Sequence, residues 1–518
     1  MGNVVNSQKI TKKVYKSIGK HKVLLPILIF TIVVFFRLFF AFQTTEFSDD
    51  SAYFVLYQLE NIRETGLPSF QSSSGEISLI PPVFYYVLAF FNLFMSPDLV
   101  GKIIPNVLAS LTIFIVYALS IKFTKNHNAS LFACALSGFI PIFFLKTFNS
   151  ISIYSLVVPL VLFSFYSFLM ISTNEKFVFI YLISILILSF THPSVFFVIL
   201  GQIIYFTFVK IEGLQHDNVE IEVIFISIFL VIWSQFLIFK NAFLLYGPEI
   251  IWQNVPSQIV SEMFTNISFV EAVSLIGIIP AFSGGYVFYQ YVKDKKSKFI
   301  FFFLSYSIPI FVMLWLRLIM PTVGLILLSS ALVVVVSKYY VVFLDYLEKT
   351  KFSYLKIPLI IMIGLSIYLT SVLPTFALVS SEIENAPSYE KVQILQWMRF
   401  NIEGQETILS SYEDGFLIKY YSKHNTVVDS NFLLVDNVDQ IVQDITTFYT
   451  TNSLIEALKI SEKYGVGYVF ITSKIVETYG ISNIFNESNC FREIFSARES
   501  NNILYEITCS LSVGDQNV

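Results

Sequence analysis

The stretch TTEFSDDSAYFVLYQLENIRETGLPSF (44–70), continued after a serine-rich link by IPPVFYYVLAFFNLFM (80–95), decides how the rest of the chain is read. It follows the first long apolar run, Val23 to Phe42, and opens with the adjacent carboxylates Asp49 and Asp50. Ionisable groups beside hydrocarbon are costly, so a pair of them there marks a functional site. A plainer reading coexists with this one: Ser48 caps a helix and the two acids sit at the positive end of its dipole. From Asp50 to Glu64 the residues Ala52, Tyr53, Leu56, Tyr57 and Leu59 recur at helical spacing, which predicts a helix lying flat on the membrane, ended by Gly66 and Pro68.

Working outward, the composition is that of a membrane protein. Of 518 residues 55% are hydrophobic and 14% charged, so the chain is polytopic and α-helical. A net charge of −4 gives no basic surface for nucleic acid. Lys9, Lys12, Lys13, Lys16, Lys20 and Lys22 precede the first run, which is too long for a signal-peptide core; it reads as a retained anchor with a cytoplasmic N-terminus. Ile80 to Met95 is short, and letting it cross would put Lys122, Lys125 and the cluster Lys293, Lys295, Lys296, Lys298 outside. It is therefore read as interfacial or re-entrant, over a cavity that satisfies its backbone. The other spans are then Ile103–Ile121, Ser130–Phe148, Ile151–Ile171, Phe177–Thr191, Ser194–Val209, Val223–Asn241, Phe269–Val292, Phe299–Leu316, Leu318–Ser337 and Ile357–Leu378. With the first run this gives about eleven. Lys176, Lys210, Lys338, Lys349, Lys351 and Lys356 all fall inside. Residues 1–378 form a transmembrane domain. Residues 379–518 read as an extracytoplasmic soluble α/β domain: helices at Tyr389–Phe400, Phe416–Ser422 and Ser453–Tyr464, strands at Thr407–Ser410, Thr426–Asp429 and Gly467–Thr472, and a final hairpin. The plasma membrane is the expected location.

Four cations break the inside bias: Arg37, Lys146, His192 in Thr-His-Pro, and Arg317. Each alone is an ordinary snorkelling or loop residue, but together on the outer side they suggest an anion held there, with Arg317 best suited to a phosphate through its planar fork. The long outer loop Phe243–Ser268 carries Glu249 and Trp252 and reads either as a lid over the substrate or as an amphipathic loop on lipid. No Walker loop, Rossmann glycine pattern, HExxH or CxxC occurs, and the cytoplasmic loops are too short to house a nucleotide-binding domain, which argues against an ATP-driven pump. Of the three cysteines, Cys134 lies inside a span. Cys490 and Cys509 flank the final hairpin, and centring its turn between Glu499 and Ser500 sets them opposite one another, which predicts a disulfide; two unpaired thiols are the alternative.

The pattern resembles the C superfamily of membrane glycosyltransferases (GT-C), which includes protein O-mannosyltransferases, lipid A aminoarabinose transferase and the catalytic subunit of oligosaccharyltransferase. The residues that carry the likeness are Asp49-Asp50-Ser51-Ala52-Tyr53, Gly66-Leu67-Pro68, Pro81-Pro82-Val83-Phe84-Tyr85-Tyr86, Thr191-His192-Pro193 and Arg317 before Pro321. More loosely, Ile408-Leu409-Ser410-Ser411-Tyr412-Glu413-Asp414-Gly415, followed by Val428-Asp429-Ser430-Asn431, resembles the region of the WWDYG motif, without its tryptophans. The resemblance implies a sugar donor on a polyprenyl (dolichyl) phosphate or diphosphate, a protein, lipid or glycan acceptor, and inversion at the anomeric carbon. It implies Asp49 or Asp50 as general base and Arg317, with Lys146, Arg37 and His192, on the donor phosphate. Tyr53, Glu249 and Trp252 would line the substrate loops. A divalent metal, Mg or Mn, stays open as a cofactor, because the second outer loop, Lys146-Thr147-Phe148-Asn149-Ser150, lacks the acids that metal-dependent members place there. The competing readings are a transporter or flippase of lipid-linked saccharide and a non-catalytic assembly protein.

Overall fold

The computed structural model describes residues 24–71, 77–214, 217–293, 296–350, 356–487, 489–497 and 501–511. The N-terminal lysines, Val23, Lys295, Lys351 and the turn residues Glu499 and Ser500 lie outside the described residues. The chain divides into two compact units, one of Met1–Thr44, Pro81–Lys240 and Phe264–Ile383, the other of Thr45–Ile80, Asn241–Met263 and Glu384–Val518.

The first unit is helical. Among the described residues seven helices are long and apolar enough to cross a membrane: Leu24–Ala41, Pro97–Thr124, Tyr154–Thr173, Asn218–Tyr246, Lys298–Trp315, Pro321–Lys349 and Ile361–Glu384. The expected span 269–292 is instead two helices, Phe269–Ile276 and Ile278–Lys293, bent by 100°. The bend sits at Gly277, whose φ of +97° is open to glycine and strained for any other residue. The expected span 130–148 also breaks, into His127–Gly138 and Pro141–Leu145. Pro141 forces Ile140 into extended backbone, with ψ 115°, and so interrupts the helix ahead of it. Lys176–Ser189 and Val195–Ile211 have 14 and 17 residues.

The segment read as re-entrant is the helix Val83–Asn92, whose 10 residues reach about 15 Å at 1.5 Å per residue, half of a hydrocarbon core. Its entry is held by protein, as non-spanning backbone needs: Val83 N donates to Phe190 O at 3.2 Å. The core of this unit is aromatic and β-branched, with Phe165 edge-on to Phe302, Phe303 and Tyr306.

The second unit gathers the stretch Thr45–Ile80 and the 241–263 loop with the C-terminal stretch. A short antiparallel pair, β1 (Ser69–Gln71) and β2 (Ile77–Leu79), follows the helix Asp50–Thr65. The main sheet contains β3 (Thr407–Leu409), β4 (Asn425–Thr426), β5 (Val466–Ile471), β6 (Phe491–Ala497) and β7 (Asn502–Ile507) in the order β4-β3-β5-β7-β6. The first three are parallel and β7 runs antiparallel to both neighbours. Helices Tyr389–Asn401, Gly415–Ser422 and Leu454–Tyr464 stand where hydrophobic period places them; Val438–Thr450 and Ser473–Tyr479 are additional. The strand expected at 426–429 is only Asn425–Thr426, because Asp429 turns the chain by accepting from Asn431 N at 2.9 Å.

Cys490 and Cys509 are bonded, with Cα atoms 5.0 Å apart. The hairpin register is Ala497↔Asn502 and Ser496↔Ile503 near the turn but shifts by one beyond Glu493. Cys490 consequently lies opposite Thr508, whose N–H donates to Cys490 O at 2.9 Å, and the bridge reaches to the following residue.

Candidate active site

The helix Asp50–Thr65 begins at Asp49, whose carboxylate accepts from Ser51 N at 3.2 Å, and ends at Gly66, with φ +82°. The cap is therefore Asp49 rather than Ser48. Ala52, Tyr53, Val55, Leu56, Gln58 and Leu59 are buried. What covers this face is protein, not lipid: Phe54 lies 4.6 Å from Phe416, and Tyr53 lies 6.0 and 5.8 Å from Tyr420 and Tyr421. The expected membrane-surface helix is thus an inner element of a folded domain, because its aromatic stripe matches the apolar face of Gly415–Ser422.

The two aspartates have different surroundings. Asp49 is exposed at the helix start. Asp50 is half-buried and engaged through both oxygens: Leu417 N donates to Oδ1 at 2.9 Å and Ser430 Oγ donates to Oδ2 at 2.7 Å. Burial pushes the Asp50 carboxyl well above the usual carboxylate range; the bonds from Ser430 and Leu417 oppose that shift, and the charges of Asp414 and Asp49 add to it.

The two motif-like stretches 410–415 and 428–431 meet behind this helix. Gly415 makes the meeting possible, since a Cβ there would stand 2.5 Å from Asp429 Cα. Lys391 Nζ bonds Asp414 Oδ1 at 2.6 Å, and Lys419 Nζ bonds Asp429 Oδ2 at 2.5 Å. Tyr53 Oη donates to Glu46 Oε2 at 3.0 Å and accepts from Phe47 N at 3.2 Å; Tyr421 Oη donates to the same Glu46 oxygen at 2.5 Å. Tyr53 is therefore a buried brace of the loop. Glu46, like Ser430 and Leu417, was not singled out by sequence; a carboxylate three residues ahead of a pair of acids was the available signal.

The 241–263 loop is tied to the C-terminal stretch. Asn254 Nδ2 donates to Phe432 O and Val435 O, each at 2.9 Å, and Ser257 bonds Asp439 through both its N–H and its hydroxyl at 2.7 Å. Trp252 is half-buried in the short helix Gly247–Trp252, which also contains Glu249, whose side chain lies outside the described residues.

The four cations belong to the helical unit. Arg317 is exposed, follows a helix end with φ +55°, and donates through Nε to Asn266 Oδ1 at 2.8 Å. Lys146 pairs with Glu382 at 3.2 Å. His192 Nδ1 accepts from Ser194 N at 3.0 Å, and its Nε2 lies 3.3 Å from Tyr154 Oη. Arg37 is 1% exposed, donates to Thr147 Oγ1 at 2.8 Å and stacks 4.4 Å from the Phe144 ring centroid. Its place is a helix-packing one, with the guanidinium anchoring the second outer loop. A fifth cation does the same: Lys102, 3% exposed, donates to Asn149 Oδ1 and to Thr44 O, the latter at 3.3 Å. A lysine inside the apolar run after Pro97 was its sequence signal.

Among the described residues no group of three or more His, Cys, Asp or Glu side chains could hold a metal ion. Asp414 and Asp429 are each paired with a lysine, Lys391 and Lys419.

No protein-family model matches the chain, and no curated protein matches it. Solved structures do. An Archaeoglobus fulgidus oligosaccharyltransferase tethered with an acceptor peptide containing the NVT sequon aligns with TM-score 0.66 at 12% identity, over 93% of this chain and 74% of that one. AglB from the same organism, in complex with an inhibitory peptide and a dolichol-phosphate, aligns with 0.66 at 13% over 94% and 75%; another structure of the Archaeoglobus enzyme is a complex with Zn and sulfate. ArnT from Cupriavidus metallidurans, bound to undecaprenyl phosphate, aligns with 0.56 at 11% over 93% and 97%. The chain has the polytopic membrane-protein fold that these oligosaccharyltransferase and ArnT structures share.

Proposed function

We propose that the protein transfers a sugar from a polyprenyl-phosphate-linked donor to an acceptor nucleophile, with inversion, at the outer face of the plasma membrane. The observation that carries this reading is the division of labour within the acidic pair. Asp50 is engaged through both oxygens by the C-terminal stretch, whereas Asp49 is exposed and, among the described residues, its carboxylate carries only a capping bond from its own helix. In the proposed reaction Asp49 takes the acceptor proton and Asp50 fixes the helix that presents it.

The leaving group is a phosphate, which departs without a proton from the enzyme, so one base and a cationic contact suffice. Arg317 takes the donor phosphate and Lys146 supports that charge from its own loop, while His192, whose Nδ1 accepts from Ser194 N, contributes as a neutral imidazole. Acceptor attack forms the new C–O or C–N bond as the anomeric C–O bond to phosphate breaks, and the acceptor proton goes to Asp49. No step is routed through a metal.

The experiment is transfer from radiolabelled polyprenyl-phosphate sugars by the full chain in membranes. Asp49→Asn should lower turnover by roughly two to four orders of magnitude with donor retention intact. Arg317→Ala should weaken retention of undecaprenyl phosphate as well. Wild-type turnover in the Asp49→Asn, Asp50→Asn double variant would sink the catalytic reading. The bend at Gly277 and the break before Pro141 favour a transporter, since broken helices mark many substrate pathways; lipid-linked saccharide crossing vesicles without bond cleavage would select it.

A further inference from the structure

Away from the acidic pair, the C-terminal part of the second unit carries a cavity of about 440 Å³, lined among others by Trp397, Asn401, Tyr468, Arg492, Glu493 and Glu506. Strand register explains much of this lining. Tyr468 pairs with Glu506 and Glu506 with Arg492, so three side chains make one row across β5, β7 and β6. The register shift after Glu493 interrupts the alternation of β6 and keeps that carboxylate at the rim. Trp397 and Asn401 are one turn apart on the helix Tyr389–Asn401, and Phe495 backs the indole at 6.1 Å between ring centroids.

The charges define what would fit. Arg492 is bonded to Glu506, and Glu493 adds a second carboxylate. The Arg492–Glu506 pair is neutral as a unit and Glu493 repels an anion such as phosphate, so the paired groups favour a ligand held by hydrogen bonds and ring contact rather than by charge. What remains is an uncharged ligand that has an apolar face and many hydroxyl groups. Its C–H face lies on the indole or phenol, and its hydroxyls meet the Asn401 amide and the Arg492–Glu506 pair, which offer donors and acceptors side by side. The volume is within the range of small-molecule sites, about 300 to 1,000 Å³.

We propose that this pocket binds a neutral saccharide. None of its lining residues belongs to the Asp49–Asp50 cluster, so the inference stands or falls separately from the reading of that cluster. The test uses the full chain in lipid nanodiscs free of sugar-headed detergent, probed by saturation-transfer NMR with methyl glucoside, methyl mannoside and N-acetylglucosamine. At least one should bind. Its Kd should rise roughly tenfold in Trp397→Ala, where an aromatic stacking face is lost, and several-fold in Asn401→Ala, an exposed position whose melting temperature should match wild type. Trp397→Phe, which keeps a ring, should bind more tightly than Trp397→Ala. Asp49→Asn should leave the signal unchanged. Absence of any saccharide signal, a signal indifferent to both alanine changes, or displacement by phosphate or by choline would overturn the proposal.

Discussion

Asp49 and Asp50 are neighbours in sequence with opposite fates, because a helix start turns one side chain to the outside and the next toward Gly415–Ser422 and Ser430. The pair was legible as a functional mark, but its division was not, since the partners of Asp50 lie more than 360 residues away, Leu417 at a separation of 367. The raised Asp50 carboxyl has a thermodynamic sign. The folded state holds that proton more tightly than the unfolded chain, so stability is lost as pH rises from the ordinary carboxylate value toward the raised one. Asp50→Asn keeps the acceptor for Leu417 N and removes the charge. It should melt at or above the wild-type temperature at pH 7, with the difference shrinking toward pH 4 in a thermal-shift series; a clear loss at pH 7 would show that the charge itself holds the helix. Lys102 was passed over for the reason that hides most such residues: a lone lysine in an apolar run also describes a snorkelling side chain, and only coordinates place it on Asn149.

Among the elements, periodicity recovered the helices Tyr389–Asn401, Gly415–Ser422 and Leu454–Tyr464 and the strands β3 and β5 of the C-terminal stretch, missed Val438–Thr450 and Ser473–Tyr479, and failed elsewhere where a local backbone rule outranked it. Pro141 and Gly277 each divide a run whose hydropathy is continuous, and the first outer helix was assigned to lipid because an aromatic stripe reads alike whether lipid or protein covers it. Gly415 gives the sharpest test of how the two motif stretches meet. Gly415→Ala would press a methyl carbon against the Asp429 backbone, displacing Ser430 from Asp50. A loss of roughly 1 to 3 kcal/mol in denaturant unfolding is expected, along with weaker transfer. The terminal hairpin offers a second measurement. Its disulfide closes a loop with a sequence separation of 19, so Cys490→Ser with Cys509→Ser should cost roughly 2 to 4 kcal/mol in stability, read as a lowered midpoint that reductant reproduces in the wild type.

For the whole molecule, the fold class was legible in composition and hydropathy, while the membrane phase rests on charge asymmetry and on the brevity of Ile80–Met95, whose helix has 10 residues. Identity of 11–13% to the solved neighbours leaves the membrane orientation to experiment. Single cysteines at Leu244 and Tyr389, both exposed, should react with an impermeant reagent from outside, and cysteines at Lys125 and Lys349 only after permeabilisation; the reverse would invert the topology. The second unit is assembled from three separated stretches of chain, and this has a consequence in time. The ribosome finishes Asp50 long before Leu417, 367 residues on, which at about 5 to 20 residues per second is a wait of roughly 20 to 70 seconds. Throughout that interval the aromatic stripe of the first outer helix has no Phe416, Tyr420 or Tyr421 to cover it. A cell making this protein has to shelter a half-finished domain for most of a minute, and changes that speed aggregation of this helix should lower yield without touching the finished fold.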